Sequence, residues 1–200
     1  TLAEPTGCCI RGLNALGVQP GDDVLVVGAG PAGLTHIRLL RTRGAHSIFA
    51  TDMIEPRLKW AKRFGADEAF NAAKQDLLGS ILHATQGRGV DRAVVASGSV
   101  KAIQSSLPLV RKGGKVLLFG IPRQGSLLNC DVSDIFIREI TLIPSYSTTE
   151  HEMKAALDMM TNGKIQLSEM ITHKFGLSDI VEAFRTAEDA QFSLKVMVHD

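Results

Sequence analysis

The chain has 200 residues, 44% hydrophobic and 22% charged, and its 22 basic and 21 acidic side chains leave a formal net charge of +1. That even balance, with both signs mixed along the chain, excludes the basic footprint of a protein built to bind nucleic acid or an anionic membrane. The composition is that of a globular protein, long enough for one large domain or for one domain with a small appendage. No apolar run reaches the length of a membrane span, and no basic-then-apolar signal opens the chain. Three cysteines, Cys8, Cys9 and Cys130, are too few for a disulfide framework, so the expected location is a reducing cytoplasm. The chain opens Thr1-Leu2-Ala3-Glu4-Pro5 without a methionine, and the expectation is a piece of something longer.

In chain order, a first helix carries the adjacent Cys8 and Cys9, whose side chains then point in different directions, one into the core and one partly exposed. Short apolar runs follow at 24–27, 48–51, 93–96, 116–119 and 140–143. Continuous rather than alternating apolarity is what a strand needs when helices cover both faces of its sheet. Between the runs lie segments with helical spacing. In 31–43, Leu34, Ile37 and Leu40 share a face and Gly44 supplies the stop. In 55–64, Leu58, Ala61 and Phe64 or Trp60 turn inward while Lys59, Lys62 and Arg63 turn outward. Gly113-Gly114 is expected to make the turn into the run at 116–119. Strand and helix alternating at this pace predict an α/β fold, a doubly wound parallel sheet (Rossmann fold) with right-handed crossovers. The end of the chain differs: a strand at 171–175, a helix from about 178 to 187 and a strand at 195–198 form a strand-helix-strand tail. It either extends the sheet or belongs to another domain. The expected division is an opening segment with its helix over 1–19, the doubly wound domain over 20–167, and the tail over 168–200.

Gly28-Ala29-Gly30-Pro31-Ala32-Gly33 stands directly after the first strand and at the start of the next helix. Gly28 allows a tight turn, Gly30 lets the backbone approach a pyrophosphate, and Gly33 lets helix and strand pack closely. Pro31 fits the first helical turn, where its missing N–H costs nothing. Asp52 ends the second strand, 19 residues after Gly33, where a carboxylate accepts hydrogen bonds from adenosine ribose hydroxyls and repels the extra phosphate of NADP. NAD is therefore the expected cofactor. Arg57 stands five residues on and suits either a 2′-phosphate or a place over the adenine. The structural alternative for Asp52 is an N-cap for the helix starting near Glu55. Methyltransferases and flavoproteins use related glycine turns.

The stretch Glu4-Pro5-Thr6-Gly7-Cys8-Cys9, then Pro20-Gly21-Asp22, Phe64-Gly65-Ala66-Asp67, Ser97-Gly98-Ser99, Lys112-Gly113-Gly114, Phe119-Gly120-Ile121-Pro122, Arg138-Glu139 and Ser145-Tyr146-Ser147 resembles the medium-chain dehydrogenase/reductase family. The match is best to the zinc-type alcohol and polyol dehydrogenases of the sorbitol and threonine dehydrogenase branch, and it runs the whole length. The resemblance implies the cofactor-binding half of an NAD-dependent enzyme that oxidises a secondary alcohol or polyol. It places Ser97, Gly98, Ser99, Gly120 and Ile121 in a platform beside the nicotinamide, and Tyr146 and Ser147 in the lining of the nicotinamide pocket. Glu4 falls where the family has a residue at or next to the catalytic zinc; a helix-start acid is an equally good reading.

The family's zinc ligands lie in a catalytic half absent from this chain, so no metal is expected here, and the chain by itself is expected to bind NAD without turnover. The resemblance also implies that the tail packs on that absent half. It further implies a homodimer, joined edge to edge through the strand at 140–146. The competing readings are a stand-alone NAD-binding module or sensor, and an enzyme like the zinc-free, NADP-dependent quinone reductases.

Overall fold

The computed structural model describes residues 1–200. Helix α1 (Ala3–Leu16) precedes the strands β1 (Val24–Val27), β2 (Ile48–Asp52), β3 (Glu68–Asn71), β4 (Val90–Val95), β5 (Val110–Leu118) and β6 (Thr141–Pro144). Between them run α2 (Pro31–Thr42), α3 (Glu55–Phe64), α4 (Leu77–Ala84), α5 (Val100–Ser106) and α6 (Val132–Ile137). Helix α7 (Glu150–Thr161) follows, and β7 (Ile171–Gly176), α8 (Ile180–Glu188) and β8 (Lys195–His199) make the tail. The main sheet has the order β3-β2-β1-β4-β5-β6 and is parallel throughout.

Side chains in a strand alternate between faces, so the continuous apolar runs feed two cores at once. Val24, Val26, Ile48, Ala50, Val94 and Leu117 join the cluster under α1, α2, α3 and α7. Their neighbours Leu25, Phe49, Ala93, Val95 and Val116 join the cluster on the opposite face. Leu34, Ile37 and Leu40 of α2 are wholly buried, as are Ala61 and Phe64 of α3. Burial of one such large side chain contributes about 1.5–3 kcal/mol.

Three details differ from the sequence reading. Gly113-Gly114 does not lead into β5; the strand already begins at Val110, and the glycines lie within it. They sit in a bulge where the register jumps from Val90↔Val110 to Arg92↔Lys115. A Cβ on Gly114 would stand 2.2 Å from a Val110 methyl, so only glycine closes this excursion. Strand β3 has no apolar run to announce it, because Glu-Ala-Phe-Asn at a sheet edge buries only its last two residues. Asp52 does not cap α3, since the N-cap position belongs to Ile54.

The tail does not extend the main sheet. Strands β7 and β8 pair in parallel as a separate two-stranded sheet. The approach to it is anchored, for Ile165, Leu167 and Met170 belong to the same core as α1 and α2. Beyond that anchor, Val181 and Phe184 of α8, with Leu177 and Phe192, remain exposed.

Candidate cofactor site

In a parallel sheet every strand ends at the same edge, and ligands collect where neighbouring strands lead their chains in opposite directions. Here that point lies between β1 and β4, the centre of the strand order. Gly28 leaves β1 with φ +98°, a left-handed conformation that makes the tight turn. Gly33 has no room for a side chain: a Cβ would stand 1.8 Å from the Gly28 carbonyl oxygen. The space above Gly30 is free except for Arg57, whose guanidinium would lie 3.6 Å from a Cβ there.

The carboxylate of Asp52 is tied to this turn. One oxygen accepts from the Ala29 N–H at 2.8 Å and the other from the Ile54 N–H at 2.9 Å. The acid thus joins the glycine turn to the end of β2 and has no cationic partner in the protein. Pro31 opens α2, and the Leu34 N–H bonds the Gly30 carbonyl at 2.9 Å. The N–H groups of Ala32 and Gly33 bond to nothing in the protein. Two free donors at the positive end of a helix, beside a turn that excludes side chains, fit a pyrophosphate.

On the other side of the switch point, the loops after β4 and β5 press together. A Cβ on Gly98 would meet the Ile121 carbonyl oxygen at 2.4 Å, and one on Gly120 would meet the Ser97 carbonyl carbon at 2.2 Å. Ser97-Gly98 and Gly120-Ile121 therefore form one surface. Ser99 has a structural task, for its hydroxyl caps α5 by accepting from the Ala102 N–H.

A cavity of about 390 Å³ opens beside this surface. Of the residues singled out from sequence, Glu4, Pro31, Ala32, Ile121, Tyr146 and Ser147 line it. Tyr146 is 77% exposed and Ser147 adopts φ +65°, so the chain turns sharply at the mouth after β6. Glu4 lies in the first turn of α1, where its carboxylate accepts a hydrogen bond from the Cys8 thiol at 3.2 Å. Burial, together with that acidic neighbour, pushes the Cys8 thiol up to about 11, so it stays a protonated donor. Cys9, on the next face of the helix, is buried in the core.

The sequence reading missed Lys195 of β8 and Met170, which bring the tail into this cavity. Nothing in the local sequence marks them, because they reach the site only by long-range packing. Nowhere in the chain do three His, Cys, Asp or Glu side chains converge as metal ligands. Glu4 and Cys8 alone do not make a zinc site. No helix is long and apolar enough to cross a membrane.

A sequence profile described as zinc-binding dehydrogenase matches residues 31–162. The chain belongs to that family. Among curated relatives it is 32% identical to the D-arabitol-phosphate dehydrogenase of Enterococcus avium, over 98% of this chain and 56% of the relative. It is also 32% identical to the sorbitol dehydrogenase of Bacillus subtilis, over 99% and 56% respectively. The chain thus spans about half the length of the curated relatives it matches. Among solved structures, the alcohol dehydrogenase of Thermus sp. ATN1 superimposes with a TM-score of 0.91 at 25% identity, over 99% of this chain and 59% of that one. A protein of Sinorhizobium meliloti described as a zinc-binding dehydrogenase and bound to NADP gives 0.92 at 25% identity, over 100% and 58%. The likeness of the whole fold to these structures confirms the parallel doubly wound sheet expected from the strand–helix alternation.

Proposed function

We propose that this chain is the cofactor-binding half of an NAD-dependent, zinc-type dehydrogenase that oxidises a secondary alcohol or polyol, or runs the reverse reduction. The observation that carries the reading is the uncompensated carboxylate of Asp52, fixed at the end of β2 by the backbone of the glycine turn. It offers acceptors to the adenosine ribose, and its charge opposes the 2′-phosphate of NADP. The free N–H groups of Ala32 and Gly33 take the pyrophosphate, with the Arg57 guanidinium beside Gly30 adding positive charge. Lys195, at the same cavity and in no ion pair, adds more. Ser97, Gly98, Gly120 and Ile121 support the nicotinamide, with Ser99 holding the start of α5 beneath them. Tyr146 and Ser147 bound the pocket, and Glu4 faces the reacting end.

The nicotinamide, when bound, supplies the hydride acceptor or donor. This chain orients the ring and supplies no residue assigned as the proton acceptor. The zinc ligands belong to residues outside it, and alone it binds NAD without turnover. The working division is an opening segment over 1–19, the cofactor domain over 20–167, and a tail over 168–200 that packs on the catalytic half. Assembly is a homodimer through the free edge of β6. Helix α6, which precedes β6 in the chain, buries none of its residues and leaves Val132, Phe136 and Ile137 exposed, an apolar surface suited to a second copy.

Calorimetric titration with NAD, NADP and S-adenosylmethionine tests the reading. NAD binding tightest supports it. Preference for NADP sinks the role given to Asp52, and binding of S-adenosylmethionine alone sinks the dehydrogenase reading.

A further inference from the structure

The first turn of α2 carries hydrogen bonds that its own helix does not require. Thr35 Oγ1 donates to the Pro31 carbonyl at 2.8 Å. His36 Nδ1 lies 2.9 Å from the Ala32 carbonyl, and the Cys9 thiol approaches that same carbonyl from α1 at 3.9 Å. The carbonyl only accepts, so Nδ1 carries the imidazole proton. His36 is wholly buried, with its ring 4.5 Å from that of Phe119 at an interplanar angle of 83°. Its Nε2 has no partner. Burial pulls this histidine down to about 4, against the upward pull of its bond to Ala32, so the ring is neutral near pH 7.

The two carbonyls that receive these bonds are not arbitrary. The Pro31 C=O shares its peptide unit with the Ala32 N–H, and the Ala32 C=O shares its unit with the Gly33 N–H. Those are the two unpaired donors of the turn. A donor on one end of a peptide polarises the other end, and hydrogen bonds in a chain strengthen one another. A side-chain bond back to the i−4 carbonyl also fixes the tilt of the helix at that point. Phe119, against which His36 packs, is both the residue before Gly120 and part of the cavity wall.

We propose that Thr35 and His36 are positioning residues for the cofactor pyrophosphate, orienting and polarising the Ala32 and Gly33 peptide units through the Pro31 and Ala32 carbonyls. The inference rests on the cofactor reading above and adds to it His36, which is not part of the cavity wall, and Thr35, which reaches that wall but whose hydroxyl bonds to the Pro31 carbonyl.

The test measures NADH binding to the full-length protein by nicotinamide fluorescence, and competition by ADP and AMP, for wild type, Thr35→Val, His36→Leu and His36→Asn. Thr35→Val keeps the shape and removes the donor. The Asn amide of His36→Asn takes the place of Nδ1–H, so this variant serves as the rescue. Thr35→Val and His36→Leu are expected to weaken NADH and ADP roughly three- to tenfold, and AMP less, because it lacks the pyrophosphate. His36→Asn is expected to stay within about twofold of wild type. Selective labelling adds a spectroscopic signature: the Ala32 and Gly33 amide proton resonances move upfield in Thr35→Val and His36→Leu respectively. Folded variants that bind ADP as tightly as wild type overturn the inference, as does His36→Asn binding as weakly as His36→Leu. Should His36→Leu not fold, Thr35→Val decides alone. Wild type that binds no NADH overturns the cofactor reading itself, an outcome distinct from either.

Discussion

Asp52→Asn is the substitution that separates cofactor recognition from loop structure. The carboxylate holds two backbone donors, Ala29 N–H at 2.8 Å and Ile54 N–H at 2.9 Å, before any ligand arrives. An asparagine has one accepting oxygen, so it keeps one of these bonds and turns its NH₂ toward the other donor. Leaving a donor unpaired there lowers stability by about 1–3 kcal/mol. For a chain of 200 residues that is roughly 2–4 °C of melting temperature per kcal/mol. Recognition changes independently. Ribose hydroxyls bonding to a charged acceptor contribute about 1.5–3 kcal/mol, so NAD weakens about 10- to 150-fold. For NADP the sign reverses, because two charges about 4 Å apart repel by about 4 kcal/mol at an effective dielectric of 20, and the variant removes that repulsion. The NAD-to-NADP affinity ratio therefore falls by at least about two orders of magnitude. Calorimetry with both cofactors measures it, with thermal melting as the control for folding. A folded Asp52→Asn protein whose ratio stays within threefold of wild type refutes the reasoning. Asp52→Ala is the poorer probe, since it strips both backbone acceptors at once.

Gly33→Ala puts a methyl 1.8 Å from the Gly28 carbonyl oxygen; we expect a loss of about 1–3 kcal/mol in urea unfolding and no measurable heat with NAD. Acid stability should fall in two stages. The unfolded chain binds more protons than the folded one between the ordinary histidine value of 6.5 and about 4, where buried His36 titrates, so stability declines by about 3 kcal/mol as pH drops through that window. Urea midpoints against pH should be flat there in His36→Asn; an unchanged slope would assign the loss to other groups. The second stage comes from Asp91. Burial raises it, but hydrogen bonds from Arg88 and Arg111 outweigh burial and hold it below the usual carboxylate range. Its contribution is complete above the unfolded value of 3.8 and disappears as pH falls below it. Asp91→Asn at neutral pH should lower stability by about 1–3 kcal/mol, less than for a fully buried pair because both arginines reach water. Phe136→Asp, at a side chain 82% exposed on α6, the helix that precedes β6, should halve the sedimentation mass if this apolar helix takes part in the dimer.

The order of elements and the glycine turn were legible in the sequence because both rest on local chemistry. Strands buried on two faces need unbroken apolar runs, and Gly28 and Gly33 are required by the backbone around them. Strand β3 was not legible, since an edge strand that buries half its residues carries no run. Nor did the sequence predict that Gly113-Gly114 bulge within β5, a matter of register against β4. Asp52 was found by its spacing, but its attachment to Ala29 arises only when β1 and β2 lie side by side. The tail shows the division best. Its strand-helix-strand pattern was plain, yet nothing local told whether β7 and β8 would extend the sheet or pair apart. Packing of Met170 into the core decided where the tail is anchored, and with it that Lys195 arrives at the cavity. Spacing along the chain specifies which residues can form an element, whereas contacts between residues more than a hundred positions apart exist only once the core has closed.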